Sequence, residues 1–292
     1  MGGNRVGSHE DGPPDFVRAT LATSIFAAEP REHVYHYTTI EGLIGICTSR
    51  TIWATDLLYM NDTSEYLYSS RIIEEVTSAY AACHPEFEGY QYACHHNPLD
   101  FGLRVYAACF CEEKDLLSQW RAYARQGTGY AIEFSWAKLR DRFPLNRIGK
   151  VEYAEHTQKD VLNQILTSLT SEALTTRRDQ DSPFARVAGG LANALLTVRA
   201  FLKSVTFQEE REWRIIAFHG TDTREELYRP HNNLLIPYCA LSLGDADELP
   251  ITKVVIGPSL HPKAAELSLR RFLDSIGLAR VAIDASPIPL RL

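Results

Sequence analysis

Long apolar runs are missing from this sequence. Nowhere do about 18 uncharged apolar residues follow one another, so no transmembrane helix is expected. The start, MGGNRVGSHEDGPP, lacks the apolar stretch of a signal peptide, and Val6 breaks the myristoylation pattern, which calls for Ser or Thr there. A cytoplasmic protein is expected. Cysteine is scarce as well: six in 292 residues, at positions 47, 83, 94, 109, 111 and 239, are too few and too scattered for a disulfide scaffold, so free thiols are expected. Excess positive charge is absent too. A net charge of −7 argues against a surface that tracks phosphates, and nonspecific nucleic-acid binding is not expected. There is no internal repeat, low-complexity tract or glycine-rich phosphate loop.

What remains is an ordinary globular composition, 45% hydrophobic and 23% charged, enough for one large domain or two small ones. Residues 1–30 are rich in Gly, Pro and charge and read as a flexible N-terminal arm. Order is expected from residue 31. HVYHYT alternates as a strand, Thr38 and Glu41 fit a capping box opening a helix, and TIWAT reads as the next strand. Asp62 then caps a helix with Glu65 in its first turn. RVYAACFC reads as a buried strand, DLLSQWRAYA as a short helix begun by Asp115, and GYAIEFS and GKVEYA as further strands. Two helices, about 157–178 and 184–203, form a helical layer. EWRIIAF, NNLLIPYCALSL and KVVIGP follow as strands, then a helix near 262–277 and short strands at RVAID and IPLRL. With strands at both ends and helices between, the pattern predicts one α+β domain over 31–292, with a mixed or antiparallel sheet and flanking helices.

Cys83, His84, Cys94, His95 and His96 are all residue types that zinc accepts. They lack a paired C-x-x-C and the spacing of a known finger, so they read as a polar excursion between a helix and a strand, and no metal is expected.

Four groups of polar residues attract attention. His36 stands on a strand beside Tyr37 and Thr38, where either ring nitrogen can meet a ligand hydroxyl; a buried, satisfied histidine is the plain alternative. Asn61, Asp62 and Glu65 cluster at a helix start, where capping alone accounts for two of them. In SQWRAY, Gln119, Trp120 and Tyr123 border one helical face, an amide beside aromatic surface that suits a flat heterocycle, with Arg121 between them. In FQEEREWRIIAF, Glu210, Glu212 and Arg214 would share one strand face and Trp213, Ile215 and Ala217 the other. Such a charged row is costly to bury unless paired or functional, and an exposed sheet edge is the alternative.

These residues carry a resemblance. From about 33 to 292 the chain resembles a widespread bacterial family of domains of unknown function, marked by HYT, ND with Glu three residues after the Asp, SQWRAY, EREWR, VVIGP and SPIPLR. More distantly, the order of a histidine strand, a helix, a second strand, a CF strand and a late Glu-x-Glu strand is similar to ADP-ribosyltransferases. That similarity implies an ADP-ribosyltransferase-like fold and NAD as substrate. It implies His36 as ribose binder, Tyr123 or Trp120 stacked on nicotinamide, Glu212 as the catalytic carboxylate and Glu210 assisting. The activity implied is ADP-ribosyl transfer or NAD glycohydrolysis, in the setting of a toxin or a phage-defence effector. The Ser-Thr-Ser pattern of arginine-modifying toxins is absent. Arg121 and Arg214 would hold the pyrophosphate through bidentate donors, and Asn61 and Asp62 would stand at the mouth. Two other classes fit the same residues: a nuclease or hydrolase gathering Asp62, Glu65, Glu210 and Glu212 around Mg²⁺, and a noncatalytic nucleotide sensor.

Overall fold

The structure, a computed structural model, describes residues 25, 32–60, 63–85, 87, 104–124, 128–143, 147–176, 183–218 and 225–289. In chain order the strands are β1 (His33–Thr38), β2 (Thr51–Asp56), β3 (Val105–Cys111), β4 (Tyr130–Ser135), β5 (Ile148–Lys150), β6 (Glu212–Phe218), β7 (Leu227–His231), β8 (Leu234–Ser242), β9 (Ile251–Ile256) and β10 (Ala282–Ala285). The helices are α1 (Ile40–Ser49), α2 (Thr63–Cys83), α3 (Leu117–Tyr123), α4 (Trp136–Arg142), α5 (Glu155–Thr176), α6 (Pro183–Arg199) and α7 (Pro262–Ser275). The ten strands form one mixed sheet, antiparallel at every strand pair except the parallel β9–β10. Among the described residues no helix is long and apolar enough to cross a membrane.

Most of the pattern follows from alternation. On β6, Trp213, Ile215 and Ala217 turn to one face, where α1, α4 and α7 cover them through Leu43, Leu139, Leu269 and Leu273. Ile216 and Phe218 turn to the other, under α2, α5 and α6, whose Ile72, Ile73, Leu162, Ile165 and Leu195 close a second core. Ile25, within the segment read as a flexible arm, is buried in this second core, and its carbonyl accepts the backbone N–H of Lys150. The remainder of 1–30 lies outside the described residues.

The feature that positions the site is a fork. β6 pairs with β3 along its whole length, Val105↔Phe218 to Cys111↔Glu212, and so occupies one edge of β3. The other edge is shared: β1 joins it at Tyr35↔Cys111, and β2 joins it at Thr55↔Ala107 and Asp56↔Tyr106. Between those rungs Ala108, Cys109 and Phe110 have no ladder partner on that edge. The sheet thus divides into a β1–β4–β9–β10 branch and a β2–β8–β7 branch.

Several local expectations need correcting. The N-cap of α1 is Thr39, whose side chain accepts the N–H of Gly42 at 3.2 Å; Thr38 is the last residue of β1 and pairs with Tyr130. Asp115 does not cap α3, which begins at Leu117 without a side-chain cap; its carboxylate accepts Trp120 Nε1–H at 2.7 Å and the Ser286 hydroxyl at 2.6 Å. Glu210 is not on β6 but ends a 3-10 helix, Val205–Glu210. Residues 288 and 289 of the expected IPLRL strand are not in a strand, and 290–292 lie outside the described residues. Gly257 of VVIGP has a plain reason: a Cβ there would come within 2.9 Å of Trp120, so the glycine lets the indole pack against the backbone.

Candidate functional site

The fork opens into a cleft of about 640 Å³ on the face shared by Cys109, Glu212 and α3. Its wall from the first branch carries Tyr35, His36 and Tyr37, and from the second branch Trp53, Thr55, Arg229 and His231. Glu65, Gln119, Tyr123, Lys203, Phe207, Glu210 and Glu212 complete it.

His36 sits at the point of the fork. Its Nδ1 lies 2.8 Å from the carbonyl oxygen of Cys109, a backbone acceptor that the parted strands have left free. A carbonyl can only accept, so Nδ1 carries the proton and Nε2 is the acceptor. Burial lowers the His36 pKa, against the opposing pull of that hydrogen bond, so the ring is neutral at neutral pH.

One wall is a compact charge network. Arg214, wholly buried, gives Nε to Glu212 Oε1 at 2.8 Å and NH2 to Glu212 Oε2 at 2.9 Å and to Glu65 Oε1 at 2.5 Å, while NH1 donates to the Ala200 carbonyl at 2.7 Å. Lys203 Nζ lies 2.8 Å from Glu210, 3.0 Å from Glu212 and 3.4 Å from Glu65. Its backbone is fixed by the buried Gln158 of α5, which donates to the Lys203 carbonyl at 2.9 Å. Arg211, at φ 42°, supplies the left-handed turn between the 3-10 helix and β6 that brings Glu210 and Glu212 onto one ammonium.

The two carboxylates are biased in opposite directions. Burial alone would raise the Glu212 pKa, but Arg214 and Lys203 outweigh it and hold the group down at about 2. For Glu210 burial prevails over Lys203, and its pKa is raised. Lys203 is held protonated by the three carboxylates in spite of its burial. Burial pushes the Tyr123 phenol up, with Glu210 and Glu212 adding to it. Burial pushes the Cys109 thiol well up, with the Glu212 carboxylate adding to it.

Of the residues singled out from the sequence, His36, Tyr37, Glu65, Gln119, Tyr123, Glu210 and Glu212 line this cleft. Tyr37 has its hydroxyl engaged, donating to the Glu113 carbonyl at 2.7 Å and accepting from Leu116 N–H at 3.0 Å. Thr38, Trp120, Arg121 and Arg214 are not brought to the cleft. Trp120 is fully buried edge-on against Tyr37 and offers no face for stacking. Arg121 is exposed on α3, and Arg214 lies behind Glu212 with its donors engaged, so neither forms a pyrophosphate clamp. Asn61 and Asp62 lie outside the described residues.

Sequence reasoning passed over Lys203, Trp53, Arg229 and His231. TIWAT carried a signal for Trp53, since Ile52 and Ala54 turn inward and leave the indole on the other face. Lys203 gave none, reading as the end of an amphipathic helix that in fact stops at Arg199. Of the histidine and cysteine cluster, His84 stacks on Tyr80 with ring centroids 3.9 Å apart and Cys83 is exposed, while Cys94, His95 and His96 lie outside the described residues. Among the described residues no grouping of His, Cys, Asp and Glu suited to a metal ion occurs, and the five described cysteines are free thiols.

No curated protein matches the chain. No solved structure matches it. A family profile described as "Protein of unknown function (DUF2971)" does match, over residues 119–215, a span that runs from Gln119 through Lys203, Glu210 and Glu212 to Ile215, so the stretch from the cleft's amide to its charge network is similar to that family of unknown function.

Proposed function

We propose that the cleft binds a dinucleotide of the NAD class and cleaves the bond between nicotinamide and ribose, passing ADP-ribose to an acceptor or to water. The observation that carries this reading is the pair Glu210 and Glu212, held on one lysine with opposite protonation biases and lining the same cleft as His36. Pairs of titratable groups pushed apart in this way mark acid and base roles.

In the proposed reaction the C1′–N bond breaks and its electron pair leaves with neutral nicotinamide. The positive charge that builds on the ribose is met by the permanently anionic Glu212. The acceptor oxygen forms the new bond to C1′, and its proton passes to Glu210, whose raised pKa makes it the better base. His36 Nε2 accepts from a ribose hydroxyl, and Tyr123 gives the nicotinamide ring an aromatic neighbour. Glu65, in the first turn of its helix, here acts on Arg214 and Lys203 and only through them on the chemistry.

The competing reading as a Mg²⁺-dependent nuclease asks Asp62, which lies outside the described residues, and Glu65, Glu210 and Glu212 to converge on a divalent ion. The three glutamates converge instead on the Lys203 ammonium, within 3.4 Å of all three, and this favours the NAD reading. The test is incubation of the purified chain with NAD, with nicotinamide followed by chromatography. Release is expected to persist in excess EDTA and to be lost in Glu210→Gln. Folded protein that releases no nicotinamide, or release that needs Mg²⁺, would overturn the proposal.

A further inference from the structure

Arg229 stands apart from the cations of the charge network. Lys203 and Arg214 are each spent on carboxylates. Arg229, on β7, donates through NH2 to Thr55 Oγ1 at 3.1 Å, while its Nε is buried without a hydrogen-bond partner. Among the described residues no carboxylate pairs with it. The acidic groups of its own branch are turned elsewhere: Asp56 accepts the N–H of Leu58 at 2.9 Å, and Glu226 is taken by Arg104 at 2.6 Å and by the hydroxyls of Tyr106 and Tyr228. A guanidinium placed this way in a cleft has donors left for an anion, and its planar fork matches a phosphate.

The same face offers a platform beside it. The pairings Trp53↔Ala240, Thr55↔Tyr238 and Arg229↔Ile236 put Trp53, Thr55, Tyr238 and Arg229 on one side of the branch, because residues opposite each other in an antiparallel ladder point the same way. Trp53 leans on Tyr238, ring centroids 4.4 Å apart at 32°, and keeps 47% of its surface exposed. An indole backed on one side and open on the other, in a cleft, is a stacking surface for a flat ring. His231, two residues beyond Arg229 and also lining the cleft, adds a second donor.

Building on the reading of the cleft as an NAD-class site, we infer that the β2–β8–β7 branch is the phosphate-and-base half of that cleft, a subsite for a nucleoside diphosphate with Arg229 on the phosphate and Trp53 under the base. The carboxylate wall would then face the reacting sugar from the opposite side, with His36 between the two.

The subsite is tested by calorimetric titration of the full chain with ADP, adenosine and inorganic phosphate. ADP is expected to bind at least about tenfold more tightly than adenosine, as one charge-assisted contact of this kind provides. Arg229→Gln should erase that difference and leave adenosine binding unchanged. Arg229→Lys, which keeps the charge and loses the fork, should retain part of it, and Trp53→Ala should weaken ADP and adenosine alike by about tenfold. Equal affinity for ADP and adenosine, indifference to both Arg229 variants, or phosphate binding as tightly as ADP would overturn the inference. ADP carries no nicotinamide bond, so a protein that binds it through Arg229 yet releases no nicotinamide would keep the subsite and remove the proposed reaction, and the converse result would do the reverse.

Discussion

The imidazole of His36 caps the backbone carbonyl of Cys109 from 2.8 Å away, at the one stretch of β3 where neighbouring strands have parted. A side chain thus does there what a ladder hydrogen bond does elsewhere in the sheet, and the buried acceptor is satisfied.

That placement fixes a pH dependence. Burial depresses the His36 pKa below its ordinary value of 6.5, so the unfolded chain binds a proton more readily than the folded one. Stability should be full above 6.5 and fall as pH drops below it. Thermal melts at neutral pH and at about one unit below the ordinary histidine value should show a loss in the native chain that is smaller in His36→Asn. Glu212, held at about 2 against an ordinary 4.5, adds a separate loss confined to the range between those values. An equal acid response in native and His36→Asn chains above pH 5 would show that His36 is not the group involved.

Glu210 and Glu212 should separate chemistry from stability. Glu210→Gln removes the proposed base from a position where, among the described residues, its ion-pair partner is Lys203, and should lower nicotinamide release by roughly two orders of magnitude while the melting temperature barely moves. Glu212→Gln should lose activity to at least that extent and also destabilise the fold by about 3 kcal/mol, since it leaves buried Arg214 with Glu65 as its carboxylate partner. Urea unfolding beside the activity assay distinguishes the two variants.

Lys203→Met should be among the most destabilising changes in the chain, at roughly 3–5 kcal/mol, because three carboxylates would then press on each other with Arg214 alone among them. A double variant with Glu210→Gln should recover part of the loss, and recovery of none of it would show that the cost comes from packing.

Trp213→Ala tests the core. The indole is buried, meets Trp136 edge-to-face at 4.6 Å and donates to Glu112 at 2.9 Å, so its removal should cost about 3–5 kcal/mol in chemical denaturation and leave a cavity behind.

Much of the architecture is legible because a sheet covered on both faces needs short, mostly apolar runs. β3, β4 and β6 are buried almost throughout, β1, β8 and β9 hold buried stretches among less buried residues, and the long helices announce themselves by their apolar faces. β7 was passed over: LYRPH holds a proline and is mostly exposed, as an edge strand tolerates, so no periodicity marks it. Arg229 was lost with it. The sequence extends β6 back to Glu210 because nothing in QEEREW signals the left-handed turn at Arg211. It offers Arg214 as a ligand clamp because a sequence cannot show that Glu65, 149 residues away, already holds it.

A fork in a sheet cannot be built from one end of the chain. His36 must wait for Cys109, 73 residues later, Glu65 for Arg214, and the second branch for β7 and β8. A chain emerging from the ribosome therefore cannot bring the walls of the cleft together at any intermediate length short of about residue 240, where β8 is complete. The cleft is thus a product of late synthesis, and no N-terminal piece of the described fold can stand in for it.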